Sequence, residues 1–150
     1  MAKFFYRMQN ILNIKYKLEE QAKQEFSNAQ YRYRQEEERL ERLKQRKRDY
    51  TEEMRGHARE RLNVMELERC NDAIALLDMR IREQKEVVFR AMTEMDRARA
   101  KLNQSIQERK THEKLKEHQF ENFLQELNAE AMKEIDELVS YQHNTSEEGA

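Results

Sequence analysis

The sequence predicts an all-α fold in which two long helices form an antiparallel coiled-coil hairpin with one turn near residues 56–62. Three observations predict this fold. The 150 residues include no proline and only two glycines, so few tight turns can form. Charged residues make up 39% of the chain and hydrophobic residues 37%, a balance typical of long helices. Apolar residues also recur every three or four positions, as they do in the seam of a heptad repeat.

The first predicted helix covers about residues 4–55. Its seam is mainly apolar and aromatic, although Lys15 and Glu19 interrupt it. The repeat fails near Gly56, which is the only glycine outside the C-terminal tail. We therefore expect the helix to end there and the turn to follow.

The second predicted helix covers about residues 63–140. Asn63 and Glu66 are spaced as in a capping box, which favours a helix start at this point. A clean apolar seam follows, and a further apolar stripe begins near the C-terminal end of the helix. Residues 141–150 are mostly polar and are expected to form a disordered tail, so that residues 1–150 make a single hairpin domain.

The predicted turn also sets an expected register between the two helices. It places Leu12 by Ile106, Phe26 by Met92, Leu40 by Leu77, Leu43 by Ile74, Tyr50 by Leu67, Tyr33 by Gln84 and Lys47 by Asn71. It also pairs Glu19 with Arg99. We expect that pair to set the register, because a charge in the seam penalises slipped alignments in which it would face an apolar side chain.

In this register the N-terminal end of the first helix lies opposite about residue 113. The apolar stripe from Phe120 to Leu138 then has no partner within the hairpin. An unpaired apolar face usually marks an interaction surface, so we expect a partner protein to bind here. Two alternatives are self-association through the stripe and a helix that bends back on itself.

The sequence carries no pattern typical of catalysis, since it has neither a glycine-rich phosphate loop nor a nucleophile elbow. No two histidines have the i, i+4 spacing of a helical metal site, and Cys70 is the single cysteine. We therefore expect no enzyme activity, no catalytic residue, no metal and no cofactor.

Membrane and nucleic-acid functions are also disfavoured. Arg7 interrupts the N-terminal aromatic run, so it does not form a signal peptide, and no stretch is long enough for a membrane span. The net charge is −1, which provides no general attraction to nucleic acid. The basic run from Lys44 to Arg48 could follow phosphates, but a solvated helix face is the favoured interpretation.

Two segments resemble the flagellar type III export stalk protein, the FliJ family. The first is the opening FFYRMQNILNIKYKLEEQAK, with its aromatic start, a glutamine and an early glutamate. The second is KEIDELVSYQH, in which Lys133, Asp136 and Glu137 match the family pattern. Chain length and the hairpin pattern agree with this resemblance.

The resemblance implies a non-enzymatic cytoplasmic protein, peripherally associated with the membrane at the flagellar base. Its implied partners are the hexameric export ATPase, whose assembly and activity it would promote, the membrane export gate and the export chaperones. It implies no nucleic-acid binding, no membrane insertion and a monomer in isolation. The family contacts the gate through the second helix, where Leu77 matches the pattern.

The predicted partner-binding residues lie at the terminal end of the hairpin and on the second helix. They are Phe4, Tyr6, Leu77, Phe120, Phe123, Leu127, Lys133, Asp136 and Glu137. The alternative function is a generic cytosolic coiled-coil scaffold or chaperone that self-associates through its C-terminal apolar stripe.

Overall fold

Two long helices account for nearly all of the structure. The computed structural model describes residues 2–60 and 63–149. Helix α1 spans Gln9–Glu60 and helix α2 spans Val64–Glu148, and no strand occurs in these two ranges. The helices pack against each other in antiparallel directions, which confirms the predicted all-α helical hairpin.

Helix α1 begins and ends later than the sequence predicted. Residues 2–8 precede it, and the carbonyl of Tyr6 accepts a hydrogen bond from the backbone N–H of Gln9 at 3.1 Å. At the other end the helix passes through Gly56 and continues to Glu60. A single glycine costs only about 1 kcal/mol relative to alanine, too little to end a long packed helix. Of the predicted turn, residues 56–60 are therefore helical, and residues 61–62 lie outside the described residues.

Helix α2 begins next to the predicted cap residue and ends later than predicted. The carbonyl of Asn63 accepts a hydrogen bond from the N–H of Leu67 at 3.0 Å, as expected for a residue just before a helix. The predicted disordered tail is helical through Glu148. In this segment the Thr145 hydroxyl donates a hydrogen bond to the backbone carbonyl of Tyr141 at 2.6 Å. This polar side chain is therefore accommodated in a helical conformation.

The hairpin divides into two compact units, and each contains parts of both helices. The terminal unit consists of Met1–Leu18 and Ser105–Ala150, and its buried apolar side chains include Tyr6 and Leu12. The turn-side unit consists of Glu19–Gln104. Its buried apolar side chains are Ala22, Ala29, Cys70, Leu77, Ile81, Ala91 and Met95.

The register of the turn-side unit differs from the predicted one by one heptad. Lys47 forms an ion pair with Asp78, seven residues beyond the predicted partner at position 71. Arg99 lies over the ring of Phe26 at 5.5 Å, seven residues from its predicted partner Glu19. The predicted register is therefore wrong here. A slip of one heptad keeps the same residues in the seam, so the apolar pattern alone does not exclude it.

The predicted pair of Glu19 and Arg99 is consequently not formed. Glu19 is buried, with Lys23 at 3.6 Å from its carboxylate. Arg99 has Asp96 at 3.9 Å on its own helix. A role for Glu19 in fixing the register stays a prediction, now without Arg99 as the partner.

Candidate partner-binding surfaces

Three phenylalanine rings meet in the terminal unit. The ring of Phe4 lies 5.1 Å from that of Phe120 and 5.5 Å from that of Phe123, measured between centroids. The rings of Phe120 and Phe123 are 6.4 Å apart. We call this group the terminal Phe cluster. It attaches the segment that precedes α1 to α2, while Phe120 remains 42% exposed.

The unpaired part of α2 consequently begins later than the sequence predicted. Phe120 and Phe123 were expected to lie beyond the end of the first helix, but Phe4 covers part of both. Leu127 is half-buried, and every described residue from 128 to 149 is exposed. Within the terminal unit, the residues before α1 therefore reach further along α2 than the sequence predicts.

Five large hydrophobic side chains lie exposed on this last part of α2, and one of them is Tyr141. The other four are Met132, Ile135, Leu138 and Val139, exposed by 62%, 55%, 63% and 58%. At 3.6 residues per turn they fall within roughly a third of the helix circumference. We call them the C-terminal apolar face. The apolar stripe predicted from the sequence includes Ile135 and Leu138 of this face, whereas the apolar contacts predicted on it are Phe120, Phe123 and Leu127.

The C-terminal apolar face lies on a strongly acidic segment. Residues 126–148 contain seven aspartates and glutamates and one lysine, Lys133. The predicted contact residues Lys133, Asp136 and Glu137 are all exposed. The face therefore combines apolar side chains with an acidic border.

Two predicted partner-binding residues are buried instead. Tyr6 is 4% exposed and Leu77 is 4% exposed, so each packs inside its own unit. The hydroxyl of Tyr6 has no hydrogen-bond partner among the described residues. Both side chains serve the hairpin core here and are not accessible to a partner.

Polar contacts between the helices support the terminal unit. The ammonium of Lys15, which interrupts the predicted seam, forms an ion pair with Glu108 at 3.0 Å. The hydroxyl of Tyr16 donates a hydrogen bond to Glu113 at 2.6 Å, and Arg109 lies 2.9 Å from the other oxygen of that carboxylate. The Tyr16 hydrogen bond lowers the pKa of Glu113, and the Arg109 charge acts in the same direction against the opposing effect of burial.

One group of carboxylates and histidine occurs near the end of α1. The carboxylate oxygens of Glu53 and Glu66 and an imidazole nitrogen of His57 all lie within 4.8 Å of one another. The guanidinium of Arg69 lies 3.4 Å from the Glu53 carboxylate and 3.5 Å from that of Glu66. Because Arg69 contacts both carboxylates, we interpret this group as an ion-pair network between the helices.

Within residues 2–60 and 63–149, neither helix contains a stretch apolar and long enough to cross a membrane.

Comparison with known proteins agrees with the fold. A solved structure, that of a putative YscO homolog from Chlamydia trachomatis, is similar with a TM-score of 0.67 and 18% sequence identity. The match covers 99% of this chain and 100% of that chain, and at this identity it supports the fold alone. No curated protein gives a significant match. The family model described as flagellar FliJ protein matches residues 4–148. The chain therefore belongs to the flagellar FliJ protein family.

Proposed function

We propose that this chain is a non-enzymatic stalk of the flagellar type III export apparatus, which binds the hexameric export ATPase and promotes its assembly and activity. Membership of the FliJ family supports the export apparatus as the setting. The main observation that supports the proposed contact is the C-terminal apolar face, whose four side chains are each more than half exposed.

The face has the chemistry of a helix that binds in an apolar groove. Full burial of a side chain such as Ile135 or Leu138 contributes roughly 1.5–3 kcal/mol. Burying a contiguous apolar stripe of an exposed helix against a partner therefore gives a favourable free energy of association. The terminal Phe cluster lies in the same unit and adds Phe120 as a further partly exposed ring.

The acidic border of the face indicates which partner it suits. Electrostatic complementarity favours a groove with a basic rim, because like charges across an interface are costly. A second copy of this segment would bring one acidic border against another. Such repulsion between acidic borders disfavours the alternative function as a self-associating scaffold or chaperone.

We further propose that the protein works in the cytoplasm at the flagellar base, where it links the ATPase to the export gate and to export chaperones. Leu77 is buried, so we assign the gate contact to exposed residues of α2 instead. Asp136 is proposed to contact the ATPase at the border of the apolar face. Lys133 and Glu137 share the opposite side of the helix with Ser140 and Asn144 and are proposed to contact another export component. The isolated chain is proposed to be a monomer that binds no nucleic acid.

Mixing the protein with its cognate export ATPase tests the proposed function. We expect faster ATP turnover and more hexamer, measured by a phosphate-release assay and by analytical ultracentrifugation. The double variant Ile135→Asp/Leu138→Asp should lose both effects. The control Ser140→Asp/Asn144→Asp adds the same charge on the opposite side of the same helix and should keep them. Equal stimulation by both variants, or none by the natural protein, would contradict the proposal.

A further inference from the structure

A groove runs between α1 and α2 in the turn-side unit. Its volume is about 760 Å³, within the usual range of ligand-binding clefts. Six basic side chains line it, four from α1 and two from α2. These are Lys44, Lys47, Arg48, Arg55, Arg82 and Lys85. The groove thus concentrates positive charge on a chain whose net charge is −1.

Only two of the six cations are already paired. Lys47 pairs with Asp78 across the groove, and Arg48 lies 2.9 Å from Glu41 on its own helix. The remaining four, Lys44, Arg55, Arg82 and Lys85, form no ion pair or side-chain hydrogen bond with any residue that the structure describes. Four cations without a described ion-pair partner along one groove favour an anionic ligand.

The arrangement of these cations favours an extended ligand. Lys44 and Arg55 are eleven positions apart on α1, which corresponds to roughly 16 Å along a helix. A single phosphate would need cations that converge on one point. The groove also contains the largely buried side chain of Ile81, and the alkyl stems of lysine and arginine add further apolar surface. Such a surface suits a ligand with both charged and apolar groups.

The acidic lining residues argue for a peptide rather than a nucleic acid. Glu52 and Asp78 lie among the basic side chains. A nucleic acid carries a charge on every phosphate and would meet the carboxylate of Glu52, whereas Lys47 already pairs with Asp78. A peptide can place its carboxylates beside the cations and its neutral groups beside Glu52 and Asp78. We propose that this groove binds an extended acidic segment of a partner protein.

The sequence alone shows only the part of this basic groove that lies on α1. The run from Lys44 to Arg48 alone indicates a solvated helix face, because neighbouring glutamates balance it along the chain. The hairpin brings Arg82 and Lys85 of α2 to the same groove. The proposed site is separate from the C-terminal apolar face, so it does not depend on the proposed ATPase contact.

Fluorescence anisotropy with the full-length protein tests the site. The probe is a labelled synthetic peptide in which glutamates alternate with leucines, and its counterpart has lysines in place of the glutamates. We expect the acidic peptide to bind, with an affinity that falls as salt is added, and the basic peptide not to bind. No binding of the acidic peptide would overturn the proposal.

Matched variants decide whether the groove itself is responsible. Lys44→Gln/Arg82→Gln removes one unpaired cation from each wall and should weaken binding about tenfold or more. Arg46→Gln/Arg80→Gln makes the same change in net charge at exposed residues that do not line the groove, and should bind nearly as well as the natural protein. Equal weakening by both pairs would indicate general electrostatics and overturn the proposal. Circular dichroism verifies that each variant is helical, and Arg55→Gln/Lys85→Gln provides a second groove variant.

A competition experiment separates the ligand classes. Tripolyphosphate and a single-stranded oligothymidylate are each added to the bound acidic peptide at equal total charge. We expect both to displace the peptide less effectively than the same peptide without its label. Stronger displacement by the oligothymidylate would overturn the peptide assignment in favour of nucleic acid.

Discussion

The ring of Phe4 stands edge-on to the ring of Phe120, with centroids 5.1 Å apart and ring planes at 71°. This contact joins the segment before α1 to the part of α2 where the hairpin ends. It extends the paired part of the molecule further along α2 than the seam pattern predicted. Further along α2, every described residue from 128 to 149 is exposed, and the C-terminal apolar face lies in that range.

Removing the Phe4 ring should loosen this end of the hairpin. Phe4 contacts two rings, and each aromatic pair contributes about 0.5–1.5 kcal/mol beyond area burial, so Phe4→Ala should lower the free energy of unfolding by about 1–3 kcal/mol. Urea denaturation followed by circular dichroism measures this change. Phe5 is 80% exposed, so Phe5→Ala is the matched control and should change stability by less than about 0.5 kcal/mol. Similar losses for the two variants would contradict the described cluster.

Leu77 and its neighbour Leu76 should differ sharply. Leu77 is 4% exposed and Leu76 is 45% exposed. Leu77→Ala should cost about 2–5 kcal/mol of unfolding free energy because it leaves a cavity in the core, whereas Leu76→Ala should cost much less. Thermal and urea unfolding measure both values. A small loss for Leu77→Ala would restore the prediction that Leu77 is a surface contact.

The pKa of Glu113 should depend on Tyr16. The hydrogen bond from Tyr16 lowers the folded-state pKa of Glu113, so its carboxylate stabilises the fold above the unfolded-state pKa. That contribution is lost as the pH falls through the folded-state pKa. Tyr16→Phe should raise the pKa of Glu113 and move acid unfolding to higher pH. Carbon-detected NMR titration of the Glu113 carboxyl group measures the shift.

A tyrosine elsewhere provides the control for this titration. Tyr31 accepts a hydrogen bond from Gln35 at 2.7 Å and lies in the turn-side unit. Tyr31→Phe should leave the Glu113 titration unchanged. If Tyr16→Phe also leaves it unchanged, the Tyr16 hydrogen bond is not the cause of the lowered pKa.

Cross-linking should confirm the one-heptad change in register. With cysteines at positions 47 and 78, a short bismaleimide should join the helices, because Lys47 and Asp78 form an ion pair. Cysteines at positions 47 and 71, the pair predicted from the sequence, should react less. Cys70 is fully buried and should not compete. Mass spectrometry identifies the products, and a preference for the 47–71 pair would support the predicted register.

The limits of the sequence prediction follow from the physics of coiled coils. Heptad spacing and the lack of proline were sufficient for two helices and their antiparallel pairing. They were insufficient for the register, since Lys47 keeps its seam position whether it faces position 71 or Asp78. The prediction that α1 ends near Gly56 was also wrong, because packing along α1 outweighs the modest free-energy cost of one glycine.

The candidate surfaces were predicted less completely than the fold. The apolar stripe on α2 was visible from its spacing, but the extent covered by Phe4 depends on the register. The burial of Tyr6 depends on how the residues before α1 fold back, which no periodic pattern describes. The basic groove combines Lys44 of α1 with Arg82 of α2, so it exists only once the helices are paired.

The affinity of the full-length chain for its cognate export ATPase tests the central claim most directly. Isothermal titration should give specific binding by the natural protein. Ile135→Asp should weaken that binding at least about tenfold, because a charge replaces an apolar contact in the proposed groove. Ser140→Asp should leave the affinity nearly unchanged. Undiminished binding of the Ile135→Asp variant would contradict the assignment of the C-terminal apolar face as the ATPase contact.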